Sequence, residues 1–178
     1  MVIKQKIISI AAISGGGKTT IAKELTKLLK NAESLHFDDY DFEGPDDICK
    51  WVEKGADYDE WDISPLVKDL KELQKDANVE YIILDYPFSY LNHQLKGFID
   101  TSFYVDTPLD IALARRIIRD SNSITDAIDE CEHYIDSGRN AYLEAEKSVK
   151  PNCDYIIDGR LSQEAIIQKI ISLIANEF

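Results

Sequence analysis

An α/β fold with a five-stranded parallel sheet flanked by helices is predicted by three observations. Five short apolar runs recur along the 178 residues, amphipathic patterns separate them, and a glycine-rich turn joins the first run to the first helical pattern. The runs are Lys6 to Ile13, Ser34 to Phe37, Glu80 to Leu84, Ser102 to Val105 and Asp154 to Ile157. They are mostly rich in Ile, Val, Phe or Tyr and too short for helices, as expected of parallel strands buried on both faces.

The elements between them follow in order. After the first run, Ile21, Leu25, Leu28 and Leu29 share one helical face. Leu66, Leu70 and Leu73 share another, opened by Ser64 as N-cap and Pro65 in the first turn, and Thr107-Pro108 opens a further helix in the same way. A closing helix from about Ser162 to Ala175 carries Ile166, Ile167, Ile170, Ile171 and Ile174 at helical spacing, a face that belongs in the core. One domain spanning 1–178 is expected. Two stretches stand outside the alternation: an acceptor-binding insertion at about 38–64, and a helical lid at about 115–150 with a helix break near Ser137-Gly138.

With 20 Lys and Arg against 33 Asp and Glu, the chain carries a formal charge of −13. Nucleic-acid backbones and anionic membranes are therefore excluded as main partners, because both require clustered cations. Cys49, Cys131 and Cys153 are scattered and form no metal-ligand pattern, which fits a reduced cytoplasmic protein. The stretch Lys4 to Ile13 has lysines before an apolar run but stops at Ser14 without a cleavage pattern, so it reads as a strand and not a leader. No segment is long enough to span a bilayer.

The sequence Ala12-Ile13-Ser14-Gly15-Gly16-Gly17-Lys18-Thr19 matches G-x-x-x-x-G-K-[ST] everywhere but its first position, where Ala12 replaces glycine. Each residue type has a physical task. Amide groups of Ser14, Gly15, Gly16 and Gly17 converge on phosphate oxygens, Thr19 and Thr20 open the helix whose dipole favours an anion, Lys18 reaches the outer phosphates, and Thr19 ligates Mg²⁺. Alanine at position 12 must avoid a positive φ, so the glycines have to supply the unusual backbone angles. Asp38, at the carboxyl end of the second run, lies where open α/β sheets place their ligands and is a candidate general base or Mg²⁺ partner. Asp85 ends the third run as a Walker-B type acid. Arg115 and Arg119 are four apart on one helical face and can grip ATP phosphates, while Arg116 points elsewhere. His36 reads as a satisfied strand residue, not a catalyst.

No Asn-Lys-x-Asp guanine-reading element occurs, and the chain is short for a motor, which favours a small-molecule kinase. The series His36-Phe37-Asp38-Asp39-Tyr40, Trp61-Asp62-Ile63-Ser64-Pro65, Ile82-Ile83-Leu84-Asp85-Tyr86, Phe103-Tyr104-Val105-Asp106-Thr107, Leu113 to Asp120, Val149-Lys150-Pro151 and Ile156-Ile157-Asp158-Gly159 resembles the uridine kinase and nicotinamide riboside kinase family of P-loop kinases. The resemblance implies a P-loop NTPase fold, ATP and Mg²⁺ as cofactors, Asp38 as general base and Asp62 as a binder of ribose hydroxyls. It also implies that the Arg115–Arg119 helix opens the lid and that Arg160 borders the adenine. Tyr40 and Trp61, and Arg139 at the start of the second lid helix, then face the acceptor. Trp51, Tyr58 and Trp61 are suited either to stacking on a ring or to covering the domain's own apolar surface. Tyr86 stands where the family has glycine, and Asp85 where glutamate is more usual.

From Asp38 to Asp62 there are eleven acids against Lys50 and Lys54, and no arginine. A phosphorylated acceptor would be repelled there, so a neutral or cationic small-molecule hydroxyl acceptor, such as a nucleoside, is expected. Alternatives are a kinase for pantothenate, a sugar or a phosphorylated metabolite, and a nucleotide-binding regulatory protein without turnover.

Overall fold

The computed structural model describes residues 5–177. Lys4 and the outer ends of the 1–178 span lie outside the described residues. The strands are β1 (Lys6–Ala11), β2 (Ala32–His36), β3 (Tyr81–Asp85), β4 (Thr101–Asp106) and β5 (Tyr155–Asp158). They form one sheet in the order β2-β3-β1-β4-β5, and every neighbouring pair is parallel. The chain passes from β1 to one edge and later to the other, so β1 lies at the switch point where open sheets hold ligands beyond their carboxyl ends.

The helices are α1 (Lys18–Leu28), α2 (Ile48–Glu53), α3 (Ser64–Leu73), α4 (His93–Lys96), α5 (Leu109–Asp120), α6 (Ile124–His133), α7 (Arg139–Ser148) and α8 (Gln163–Glu177). Successive strand side chains point to opposite faces, which divides the core into two. Ile7, Ile82 and Leu84 pack with Leu66 and Leu70 of α3 and with the aromatic insertion. Ile8, Ile10 and Ile83 pack with Ile21 and Leu25 of α1 and with Ile166, Ile167, Ile170 and Ile174 of α8. The Ile-rich closing face is core, as expected.

Four local expectations are corrected. The edge strands β2 and β5 are only partly covered, unlike the central three, because each has a neighbour on one side alone. Leu28 is exposed, since α1 ends there and the chain turns extended at Leu29. Ser64 is the first residue of α3 and not its cap: the Asp62 side chain accepts from the Ser64 amide, at 3.0 Å, and takes that task instead. The segment expected to form a lid does not break at Ser137-Gly138. Gly138 keeps helical angles (φ −59°, ψ −35°), and a π-helical turn over Tyr134–Gly138 carries α6 into α7.

Among the described residues no helix is long and apolar enough to cross a membrane, and all three cysteines are free.

Candidate active site

The phosphate loop is built from the strand end upward. β1 stops at Ala11, and the Gly16 amide donates to the Ile13 carbonyl at 2.9 Å, closing the turn. Ala12 has no positive φ, while Gly15 (φ 80°) and Gly17 (φ 96°) carry the left-handed angles, as the Ala12 substitution requires. A Cβ on Gly15 would lie 2.3 Å from the Ala112 carbonyl of α5, so no other residue fits there without displacing the helix. Gly17 is the N-cap of α1 and offers no side-chain cap, leaving the first amides and the positive dipole end open to an anion.

Register brings the acid of β3 beside this loop. Asp85 pairs with Ile10 on β1 and with His36 on β2. Its side chain is 1% exposed; one oxygen meets His36 Nδ1 at 3.0 Å and the other lies 3.9 Å from Lys18 Nζ without any hydrogen bond. The second ring nitrogen of His36 meets Ser34 Oγ at 3.0 Å, so His36 is the satisfied strand residue it was expected to be.

Around the loop three cavities adjoin. The central one, about 540 Å³, is lined by Ser14, Gly15, Gly17, Lys18, Thr19, Thr20, Asp38, Arg115 and Arg119. The hydrogen-bonded pair with Asp120 holds the Arg119 guanidinium above its usual basicity, and the charge of Asp38 adds to it. Asp39 lines neither this cavity nor the next. On one side a groove of about 270 Å³ runs over Gly16, Gly17, Thr20 and Arg115 to Gly159 and Leu161. On the other, a cavity of about 250 Å³ shares Ile13, Ser14, Lys18 and Asp38 with the central one and is otherwise walled by Phe37, Trp51, Tyr58, Trp61, Phe88 and Tyr142, among others.

The aromatic wall is held by its own packing. Phe37 lies 5.2 Å from Phe88, Tyr58 5.1 Å from Phe88 and Trp51 5.0 Å from Tyr58, tilted or edge to face. Buried Asn92 donates to the carbonyls of Tyr58 and Trp61, both at 2.9 Å, and fixes the backbone that carries those rings. Trp51, Tyr58 and Trp61 thus cover the domain's own apolar surface, and the same rings wall the cavity. Asn92, Phe88 and Tyr142 carried no sequence signal.

No protein-family model matches the chain. Curated relatives include a uridine kinase of Macrococcus caseolyticus, 28% identical, with 81% of this chain and 84% of that protein covered, and one of Staphylococcus haemolyticus, 25% identical, with 96% and 98% covered. Among solved structures, a deoxyadenosine kinase from M. mycoides is 20% identical, with a TM-score of 0.56, covering 96% of this chain and all of that one. A sugar kinase from Janibacter sp. is 18% identical with a TM-score of 0.59, covering 96% and 95%. Over most of its length the chain is similar to uridine kinases, and its fold is that of P-loop kinases.

The residues around the loop are of kinds that would suit a nucleotide phosphate and Mg²⁺. Among the described residues no group of three or more His, Cys, Asp and Glu side chains could hold a metal alone. That suits Mg²⁺, which binds through one or two carboxylates together with substrate phosphates. Asp85 has one buried oxygen without a hydrogen bond, 3.9 Å from Lys18 Nζ, and lines none of the three cavities.

Several expected contacts are not brought to the three cavities around the loop. Asp62 Oδ1 accepts from the Ser64 amide and from Gln94 Nε2, at 3.0 and 3.2 Å, and these bonds hold its carboxyl below the usual range; it caps α3 and lines neither cavity beside Lys18. Tyr40 turns to α3, donating to Asp69 Oδ2 at 2.9 Å with its ring stacked on Phe42. Arg160 is taken up by Asp158, whose carboxyl it lowers to about 2, so Gly159 and Leu161 reach the groove in its place. Arg139 is exposed on the lid and lines none of the three cavities.

Thr107 was expected only to open a helix. Pro108 is the N-cap of α5, without a side-chain bond, and the buried Thr107 hydroxyl instead donates to the Gly16 carbonyl at 3.0 Å. Thr107→Val keeps the shape and leaves that carbonyl unsatisfied, so a loss of about 1–3 kcal/mol in urea denaturation is expected. An unchanged midpoint would show that the bond does not hold the loop.

Proposed function

We propose that the chain transfers the γ-phosphoryl group of ATP to a hydroxyl of a small, neutral or cationic molecule bearing a flat ring, a nucleoside or similar ribosylated compound. One observation carries this reading: Lys18 and Asp38 line both the phosphate cavity and the aromatic cavity. A ring held among Phe37, Trp61 and Phe88 puts its hydroxyl at the boundary where a carboxylate and an ammonium already stand. The relatives' name, uridine kinase, and the deoxyadenosine kinase neighbour support the same acceptor class.

In this scheme the groove over Gly159 and Leu161 takes the nucleotide base, and the amides of the loop take the phosphates. Lys18 neutralises charge that grows on the γ-phosphoryl oxygens, and Arg115 and Arg119 add to it from the lid side. Asp38 accepts the proton of the attacking hydroxyl. Thr19 and Asp85 would hold Mg²⁺, which would supply positive charge to neutralise the phosphates. The eleven acids of the insertion, unrelieved by arginine, disfavour a phosphorylated acceptor. The free cysteines support a reduced cytoplasmic setting.

The test is ADP formation with Mg-ATP against a panel of nucleosides, ribosylated pyridinium compounds, pantothenate, sugars and nucleoside monophosphates. Unphosphorylated ribosides are expected to be the best acceptors. Faster turnover of monophosphates or sugar phosphates would overturn the charge argument. Nucleotide binding without ADP formation, whatever the acceptor, would point to a nucleotide-binding regulatory protein without turnover.

A further inference from the structure

We propose that Arg116 couples the lid to the phosphate loop, as a buried positioning cation rather than a third phosphate hand. The inference rests on the central cavity being the nucleotide site. Arg115 and Arg119 line that cavity and Arg116 does not; one step along a helix turns a side chain by roughly 100°, which sends it to the other side of α5.

There Arg116 is 4% exposed, although an unpaired charge is costly to bury. Nη1 donates to the Ser14 carbonyl of the phosphate loop at 3.2 Å, and Nε donates to Glu130 of α6 at 3.0 Å. The guanidinium carbon stands 4.3 Å from the ring centre of Tyr142 on α7 and 5.5 Å from that of Tyr134. Nη2 has no hydrogen-bond partner among the described residues, leaving the aromatic faces as its remaining stabilisation. One side chain thus joins the loop to the lid helices and to the turn between them.

The π-helical turn makes this arrangement possible. Tyr134 and Tyr142 are eight residues apart, which on a regular α-helix puts them roughly 80° out of line. The extra residue in the turn Tyr134–Gly138 reduces the effective separation to seven, within roughly 20° of two full turns, and the rings stack with centres 5.9 Å apart. Tyr142 also lines the aromatic cavity, and Ser14 lines both cavities. Acceptor contact with Tyr142 is therefore transmitted through Arg116 to the carbonyl that shapes the phosphate loop.

Hydrogen exchange and ATP titration of the purified chain test this without any acceptor, so the outcome is independent of which hydroxyl the kinase phosphorylates. In Arg116→Met, exchange of amides in 124–148 and 14–18 is expected to rise about tenfold, and ATP affinity to fall about tenfold, while β3 and α8 keep their protection. Arg116→Lys should not restore either, because an ammonium cannot fork to two oxygens and stack on a ring together. If Arg116→Met does not fold, Glu130→Gln, at a partly exposed partner, should loosen the same two segments to a smaller degree. Unchanged exchange in those segments, uniform loosening across the whole fold, or full rescue by lysine would each overturn the proposal.

Discussion

Lys18→Ala is expected to bind nucleotide more weakly and to turn over about 10²- to 10³-fold more slowly, because a fixed positive charge at the developing phosphoryl charge is lost. The side chain is 12% exposed and lies 3.9 Å from a buried carboxylate, so it acts in a site with little water to screen it. The same geometry predicts a second effect. Without Lys18, the buried Asp85 side chain loses the ammonium 3.9 Å away and keeps the His36 ring at 3.0 Å, and removing one partner of a buried ion pair is costly. Thermal denaturation measured with the rates should therefore show a loss of stability in Lys18→Ala that Lys18→Arg recovers in part. Near-normal turnover in Lys18→Ala would remove the basis of the kinase chemistry.

Asp38→Asn is expected to reduce turnover by about 10²-fold or more with little change in ATP affinity, as loss of a general base should. Asp39→Asn should be mild. The two neighbours sit in one 3-10 turn (Phe37–Asp39) at the end of β2, yet only Asp38 borders the phosphate and aromatic cavities. Tyr40, next in the chain, has its hydroxyl pushed to higher pKa by burial and by its hydrogen bond to Asp69, with the charge of Asp39 adding least. Single-turnover rates and nucleotide titrations of both variants separate the roles. A crippled Asp39→Asn beside a mild Asp38→Asn would shift the base by one residue. A fall in ATP affinity matching the fall in rate would make Asp38 a metal or nucleotide ligand instead.

The elements with local causes could be read from the amino-acid order. The glycine-lysine turn, its lead-in strand and its helix declare themselves because each residue type answers a backbone or charge requirement within eight positions. The five strands and the Ile-rich face of α8 follow from short-range periodicity in the same way. The side of the helix on which Arg115 and Arg119 lie is a matter of spacing, and both line the cavity over the glycine-lysine turn.

What the order could not decide was which of several equivalent polar groups a side chain would meet. Asp62 sits beside a Trp in a segment that resembles a riboside-binding one, but the Ser64 amide two residues on captures its carboxylate. Arg160 is captured likewise by Asp158, and Tyr40 by Asp69 across 29 positions. The opposite case is Arg116, which sequence position marks as merely turned away, and which folding buries between Ser14, Glu130 and two tyrosines from distant parts of the chain. Propensity and periodicity act between near neighbours and are written in the sequence; the partner of a buried charge or a free carboxylate is chosen by distance in space, and that distance exists only once the sheet has set its strands beside one another.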